Sequence, residues 1–87
     1  TPHTDCTIEF ILMEIPAGTV TTKIPRGHQG EEPAYVMEGQ VEITVDDQTY
    51  QLSAGDSIRI LSGHPHKWSN RTKELVRVIF AVTPPSF

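Results

Sequence analysis

Val41, Ile43 and Val45 alternate with Glu42 and Thr44, the period of two expected of a strand with one face in a core and the other in water. Asp46-Asp47 then predicts a tight turn into a partner strand over 48–52, although Asp-Asp is a weaker hairpin signal than Asp-Gly. The same reading extends along the chain. Residues 8–15 are rich in strand formers and end at Pro16-Ala17-Gly18, a turn sequence. Every residue of 19–24 except Lys23 is β-branched, which restricts χ1 in a helix and suits a pleated strand. Pro25 to Gly30 holds too much Gly and Pro for the interior of an element and predicts a loop entering a strand over 32–38. Further short strands are expected at 57–61, 66–69 and 75–83, separated by Ser53-Ala54-Gly55-Asp56, Ser62-Gly63-His64-Pro65 and Asn70-Arg71-Thr72-Lys73. The last strand is apolar on both faces, which fits core on one side and a partner on the other. No helical periodicity persists beyond a turn or two. About eight short strands with frequent turns predict an all-β barrel or jelly roll.

With 87 residues the chain fits one domain with a modest core. No segment approaches the ~20 continuous apolar residues of a membrane helix, so no membrane partner is expected. The single cysteine, Cys6, excludes an internal disulfide and makes no case for an oxidising compartment; with nothing cationic beside it in sequence, it is expected to be inert. A cytoplasmic protein is the expectation. The formal net charge is -4, and the seven Lys and Arg are scattered. That distribution argues against this segment gripping nucleic acid phosphates itself. The opening Thr1-Pro2-His3-Thr4 lacks Met and any signal-peptide pattern, so residues 1–87 are expected to be a piece of a longer protein.

The residues with chemistry to offer are Arg26, His28, Glu32 and His66. Two histidines and a carboxylate on adjacent strands can hold iron, manganese, zinc or nickel. Alternation puts His28 and Glu32 on one face, and His66 on the same face as Trp68. The plain alternative is a site held by internal hydrogen bonds.

His28, Glu32 and Gly39 are spaced as H-x3-E-x6-G, and Gly55, Gly63, His66 and Asn70 follow as a second motif with Leu61 where a proline is usual. In both, the chain resembles the cupin superfamily, over nearly all of residues 8 to 83. The resemblance implies a double-stranded β-helix, a small jelly-roll barrel. It also implies a metal held by His28, Glu32 and His66, but the first histidine of the motif is replaced by Arg26 and the motif's opening glycine is out of register. A guanidinium has no lone pair to donate to a metal, and its charge opposes a cation beside it. Arg26 is expected instead to pair with Glu32 or Glu31, or to receive an anion at the barrel mouth.

A closer resemblance is to the cupin domain that follows an N-terminal helix-turn-helix in bacterial transcriptional regulators of the XRE type, including polyamine-catabolism repressors. It is carried by His28-Gln29-Gly30-Glu31-Glu32, Tyr35-Val36-Met37-Glu38-Gly39 and Val82-Thr83-Pro84-Pro85-Ser86-Phe87. It implies a small-molecule-sensing, dimerising domain that is not an enzyme, with DNA bound by a domain outside these residues. Arg26, His28, Glu32, Tyr35, His66 and Trp68 are the expected effector contacts, and Phe80 is a further aromatic candidate better suited to the core. Glu31, Glu32 and Glu38 are carboxylates available to an amine, and His64 is a loop residue within reach of the mouth. The effector class is left open among amines, amino acids and carboxylates. The rival reading is a small metal-dependent cupin enzyme, a dioxygenase or isomerase, using His28, Glu32 and His66; a purely structural cupin is a lesser third.

Overall fold

The computed structural model describes residues 9–23, 31–61 and 64–82. Eight strands follow one another: β1 (Glu9–Ile15), β2 (Val20–Lys23), β3 (Glu31–Glu38), β4 (Gln40–Val45), β5 (Gln48–Ser53), β6 (Ser57–Leu61), β7 (His66–Ser69) and β8 (Val76–Val82). They form two antiparallel four-stranded sheets, β1-β8-β3-β6 and β2-β7-β4-β5. The chain crosses between sheets repeatedly, so each sheet mixes early and late strands: the jelly-roll barrel that the pattern of short strands predicted. Among the described residues there is no helix, hence none long and apolar enough to cross a membrane.

The alternation read from the sequence fixes which side chains meet. Val41 and Ile43 of β4 are buried while Thr44 lies on the other face with its hydroxyl bonded to that of Thr49 (2.9 Å). Ile15, Ala34, Val36, Ile60, Trp68, Val76, Val78 and Phe80 join them in one core between the sheets. Both residues of the β4–β5 turn have positive φ, Asp46 at 49° and Asp47 at 68°. That is the I′ geometry whose twist matches a two-residue hairpin, and it explains how Asp-Asp serves where Asp-Gly is usual.

Strand β3 carries the most context. Its ladder with β8 starts at Ala34, one residue after Pro33, so the missing proline N–H withholds nothing from that ladder. At its other end the register slips between Val36 and Glu38, a bulge that turns the chain into Gly39. Gly39 has φ +90°, and a Cβ there would lie 2.9 Å from Val76 Cγ2 and 3.1 Å from the Leu75 carbonyl oxygen. Only glycine fits this corner. The turn before β6 braces it: Ala54 N–H donates to the Gly39 carbonyl (3.0 Å) and Gly55 N–H to that of Val36 (2.8 Å).

Asn70 braces the loop that leads into β8. It is 1% exposed, and its Nδ2 donates to the carbonyls of Ile15 (2.9 Å) and Glu74 (2.8 Å). Its Oδ1 accepts from the N–H (3.0 Å) and hydroxyl (2.7 Å) of Thr72. One side chain thus ties the end of β1 to the loop before β8.

Candidate functional site

Glu32, Ala34, Ile60, His66, Trp68 and Phe80 line a pocket of about 170 Å³, its mouth included. The strand register assembles it. Glu32 faces Ile60 across β3 and β6, Ala34 faces Phe80 across β3 and β8, and Val45 faces His66 across β4 and β7. Each contributor lies on the inward face of its strand, so the walls continue the core, and among these lining residues only Glu32 and His66 bring ionisable groups.

Those two form the chemical centre. His66 Nε2 lies 3.7 Å from Glu32 Oε2, and the side chains are 7% and 18% exposed. At this distance they are an ion-pair contact and not a direct hydrogen bond. The other ring nitrogen, Nδ1, is 3.3 Å from the His64 carbonyl oxygen. A carbonyl can only accept, so Nδ1 carries the proton, and in the neutral imidazole Nε2 then has its lone pair directed toward the carboxylate. In that tautomer Nε2 and the Glu32 carboxylate are both acceptors, side by side in a largely apolar pocket, a pair that suits a group with donors or positive charge such as an ammonium or a metal ion.

Two donors 3.7 Å apart can share one ion at ~2.0–2.2 Å from each, and an imidazole tethered through its second nitrogen is the usual form of a metal-bound histidine. Among the described residues, however, no group of three His, Cys, Asp or Glu is placed to hold a metal. Glu32 and His66 are two of the three ligands expected from the sequence. The third, His28, lies outside the described residues, as do Arg26, its expected pairing with Glu32 or Glu31, and Cys6. The described part therefore supplies two of the three expected ligands.

Trp68 is both core and pocket wall, only 2% exposed, and Phe80 shares the two settings. Tyr35 requires correction as an expected effector contact. Glu32, Ala34 and Val36 share the inward face of β3, and period two turns Tyr35 outward, where it is 46% exposed beside Ile79 of β8. Glu38 also points outward, with Oε1 3.9 Å from Arg77 Nη1. His64 does not enter the pocket with its ring, which pairs with Asp46; its carbonyl orients His66. Ala34 and Ile60 were missed as pocket walls, because cross-strand register brings them to Glu32 and no local signal in the sequence marks it.

The Cupin_2 family, described as a cupin domain, matches residues 11–82. The HTH-type transcriptional regulator PuuR of Escherichia coli (strain K12) is 40% identical over 81 residues, covering 93% of this chain and 43% of the regulator. The chain thus spans less than half the length of that relative. Two solved structures share the fold. The cupin domain of an XRE family transcriptional regulator from Enterobacter cloacae superposes with a TM-score of 0.83 at 19% identity, covering 91% of this chain and 83% of that one. An HTH_3 family transcriptional regulator from Vibrio cholerae gives 0.81 at 23% identity, with 95% and 46% coverage. With two sheets in jelly-roll order, an inward-facing glutamate and histidine, and a family match over most of its length, this chain belongs to the cupin family.

Proposed function

We propose that this chain is the effector-sensing and pairing domain of a cytoplasmic DNA-binding transcriptional regulator, and that its effector is a small amine. The kinship with helix-turn-helix regulators supports the regulator. DNA contact then falls to another part of a longer protein, in keeping with the net charge of -4. On this reading the barrel binds and signals and performs no catalysis.

The observation that carries the amine is the pair of adjacent acceptors, Glu32 and His66 Nε2, 3.7 Å apart beside Trp68 and Phe80. An ammonium group supplies donors to both acceptors and a positive charge to the carboxylate, and the aromatic rings suit a cation or its alkyl chain. Among the described residues the lining includes a carboxylate and no Lys or Arg, which favours a cationic effector over a carboxylate. As it stands the pocket is too narrow to admit a water molecule, so the effector is expected to be short. The space consists of crevices between side chains, and binding must push its walls apart.

The test is a screen of short amines, amino acids and carboxylates, read by the emission of Trp68, the chain's single tryptophan. Saturable change with amines and none with carboxylates is expected. A response to carboxylates alone would overturn the amine assignment.

The second reading is a metal-dependent dioxygenase or isomerase, favoured by the Nδ1 tether of His66 to the His64 carbonyl. Glu32 and His66, with His28, would hold iron, manganese, zinc or nickel, and the metal would supply Lewis acidity or redox chemistry. Elemental analysis decides between them. About one equivalent of metal per chain, lost in His66→Ala, would establish the metal site; background metal in both chains favours the metal-free sensor.

A further inference from the structure

The His66 ring stands between two acceptors for one proton. Its Nε2 lies 3.7 Å from Glu32 Oε2 inside the pocket, and its Nδ1 lies 3.3 Å from the carbonyl oxygen of His64. In a neutral imidazole one nitrogen carries the proton and the other accepts, and the partners of the ring decide which. With the proton on Nδ1, Nε2 and Glu32 are both open to a donor in the pocket; with it on Nε2, the ring can give that proton to Glu32 instead. Both forms of the ring are neutral, and only the place of the proton differs. A carboxylate is the stronger acceptor of the two, so the Nδ1–H form needs a His64 carbonyl that is held in position. Two features bear on that carbonyl. Pro65 restricts the His64 backbone to extended conformations, and the His64 ring gives its Nδ1 proton to the Asp46 carboxylate, which can only accept. We propose that Asp46 is a positioning residue for the pocket: through His64 it fixes the carbonyl that keeps the His66 proton on Nδ1 and leaves the Nε2 lone pair to a bound donor.

This inference rests on the reading of that pocket as an effector site, and it adds the residue that sets the pocket's hydrogen-bonding character. The fold brings Asp46 to the place. Strand β4 runs beside β7 with Val45 facing His66, so the first turn residue after β4 arrives next to the residues that lead into β7. Asp46 has φ 49°, a left-handed conformation that the I′ hairpin requires and that Asp tolerates. One residue thus makes the turn and carries the carboxylate. The two roles can be separated, because glycine serves such a turn without any side chain. The His64 and Asp46 side chains are 42% and 52% exposed, and an exposed pair of this kind adds little to stability. Its effect is local, on the carbonyl behind His66. Asp47, the other turn residue, also has a left-handed backbone, with φ 68°, so a change there perturbs the same turn and spares the Asp46 carboxylate.

Long-range proton–nitrogen NMR of the histidine rings, at a pH high enough that their shifts no longer change, shows which nitrogen of His66 is protonated. In the wild type and in Asp47→Gly the proton is expected on Nδ1. In Asp46→Gly it is expected to move toward Nε2, while Asp46→Asn, which keeps an acceptor oxygen and tolerates positive φ, is expected to retain the wild-type pattern. Affinity for the tightest-binding short amine, read by Trp68 emission, should fall about three- to tenfold in Asp46→Gly, the worth of one hydrogen bond, and stay as in the wild type in Asp47→Gly. Cooperative melting confirms that each variant folds. A wild type with the proton on Nε2 would overturn the proposal, and so would an Asp46→Gly ring pattern equal to that of the wild type. The same shift in both glycine variants would overturn it as well, since the turn and not the carboxylate would be responsible. If no amine moves Trp68 emission in the wild type, the effector reading fails by itself, and the His66 ring still decides for or against Asp46.

Discussion

Replacing Asn70 by alanine removes four hydrogen bonds at once and leaves a space inside the barrel. Nδ2 no longer reaches the Ile15 and Glu74 carbonyls, and Oδ1 no longer holds the Thr72 N–H and hydroxyl. The Thr72 groups lie near the surface and can turn to water. The Ile15 carbonyl meets Asn70 in a buried contact, and a buried acceptor without a partner costs about 1–3 kcal/mol. With about 1 kcal/mol for each remaining bond, partly recovered by solvent, the loss is about 3 kcal/mol. At ~2.1 cal/mol/K per residue, a chain of this length unfolds with an entropy of about 0.18 kcal/mol/K, so Tm should fall by roughly 16 °C. Thermal melting by circular dichroism gives the shift, and urea unfolding checks that the m-value, hence the surface exposed, is unchanged. Thr72→Val in the Asn70→Ala background should cost much less than in the wild type, because the shared bonds are already gone. A Tm within about 5 °C of wild type would refute the assignment of Asn70 as the link between β1 and the β8 loop.

Two further changes test the turns. Gly39→Ala should destabilise by about 2 kcal/mol or more, because its φ of +90° and the 2.9 Å approach to Val76 Cγ2 add strain to overlap; a melt unchanged from wild type would contradict that corner. Asp47→Gly should stabilise by a few tenths to about 1 kcal/mol by easing its positive φ in the I′ turn, and a lower midpoint in urea would show that the Asp47 side chain contributes what the geometry does not reveal.

The strands were legible because their alternation is regular and Gly, Pro and Asx residues punctuate them. The expected hairpin at Asp46-Asp47 and the strand 41–45 correspond closely to β4 and its turn. For the last strand, the sequence showed apolar residues on both faces; β8 sends Val76, Val78 and Phe80 to the core. What lay hidden was how the other sheet-mates share that outer face, since Phe10 and Leu12 meet Ile79 and Ala81 only through long-range register. The same limit applies to the pocket. Glu32, His66 and Trp68 could be named from motif and parity, while Ile60 and Ala34 enter through pairings across sheet β1-β8-β3-β6. Tyr35 failed on the local rule itself, being at odd spacing from Glu32. Asn70 was visible as a motif residue but not as a brace. Its cue was the polar turn that follows, where Asn commonly bonds the backbone two residues on.

Calorimetric titration of the tightest-binding short amine into the wild-type chain and into Glu32→Gln tests the central claim most directly. The account predicts one site per chain, with affinity reduced about tenfold to a hundredfold in the variant, because a charge-assisted hydrogen bond becomes a neutral one in a side chain of the same shape. Equal affinity in the two chains, or no heat with any amine, would contradict it.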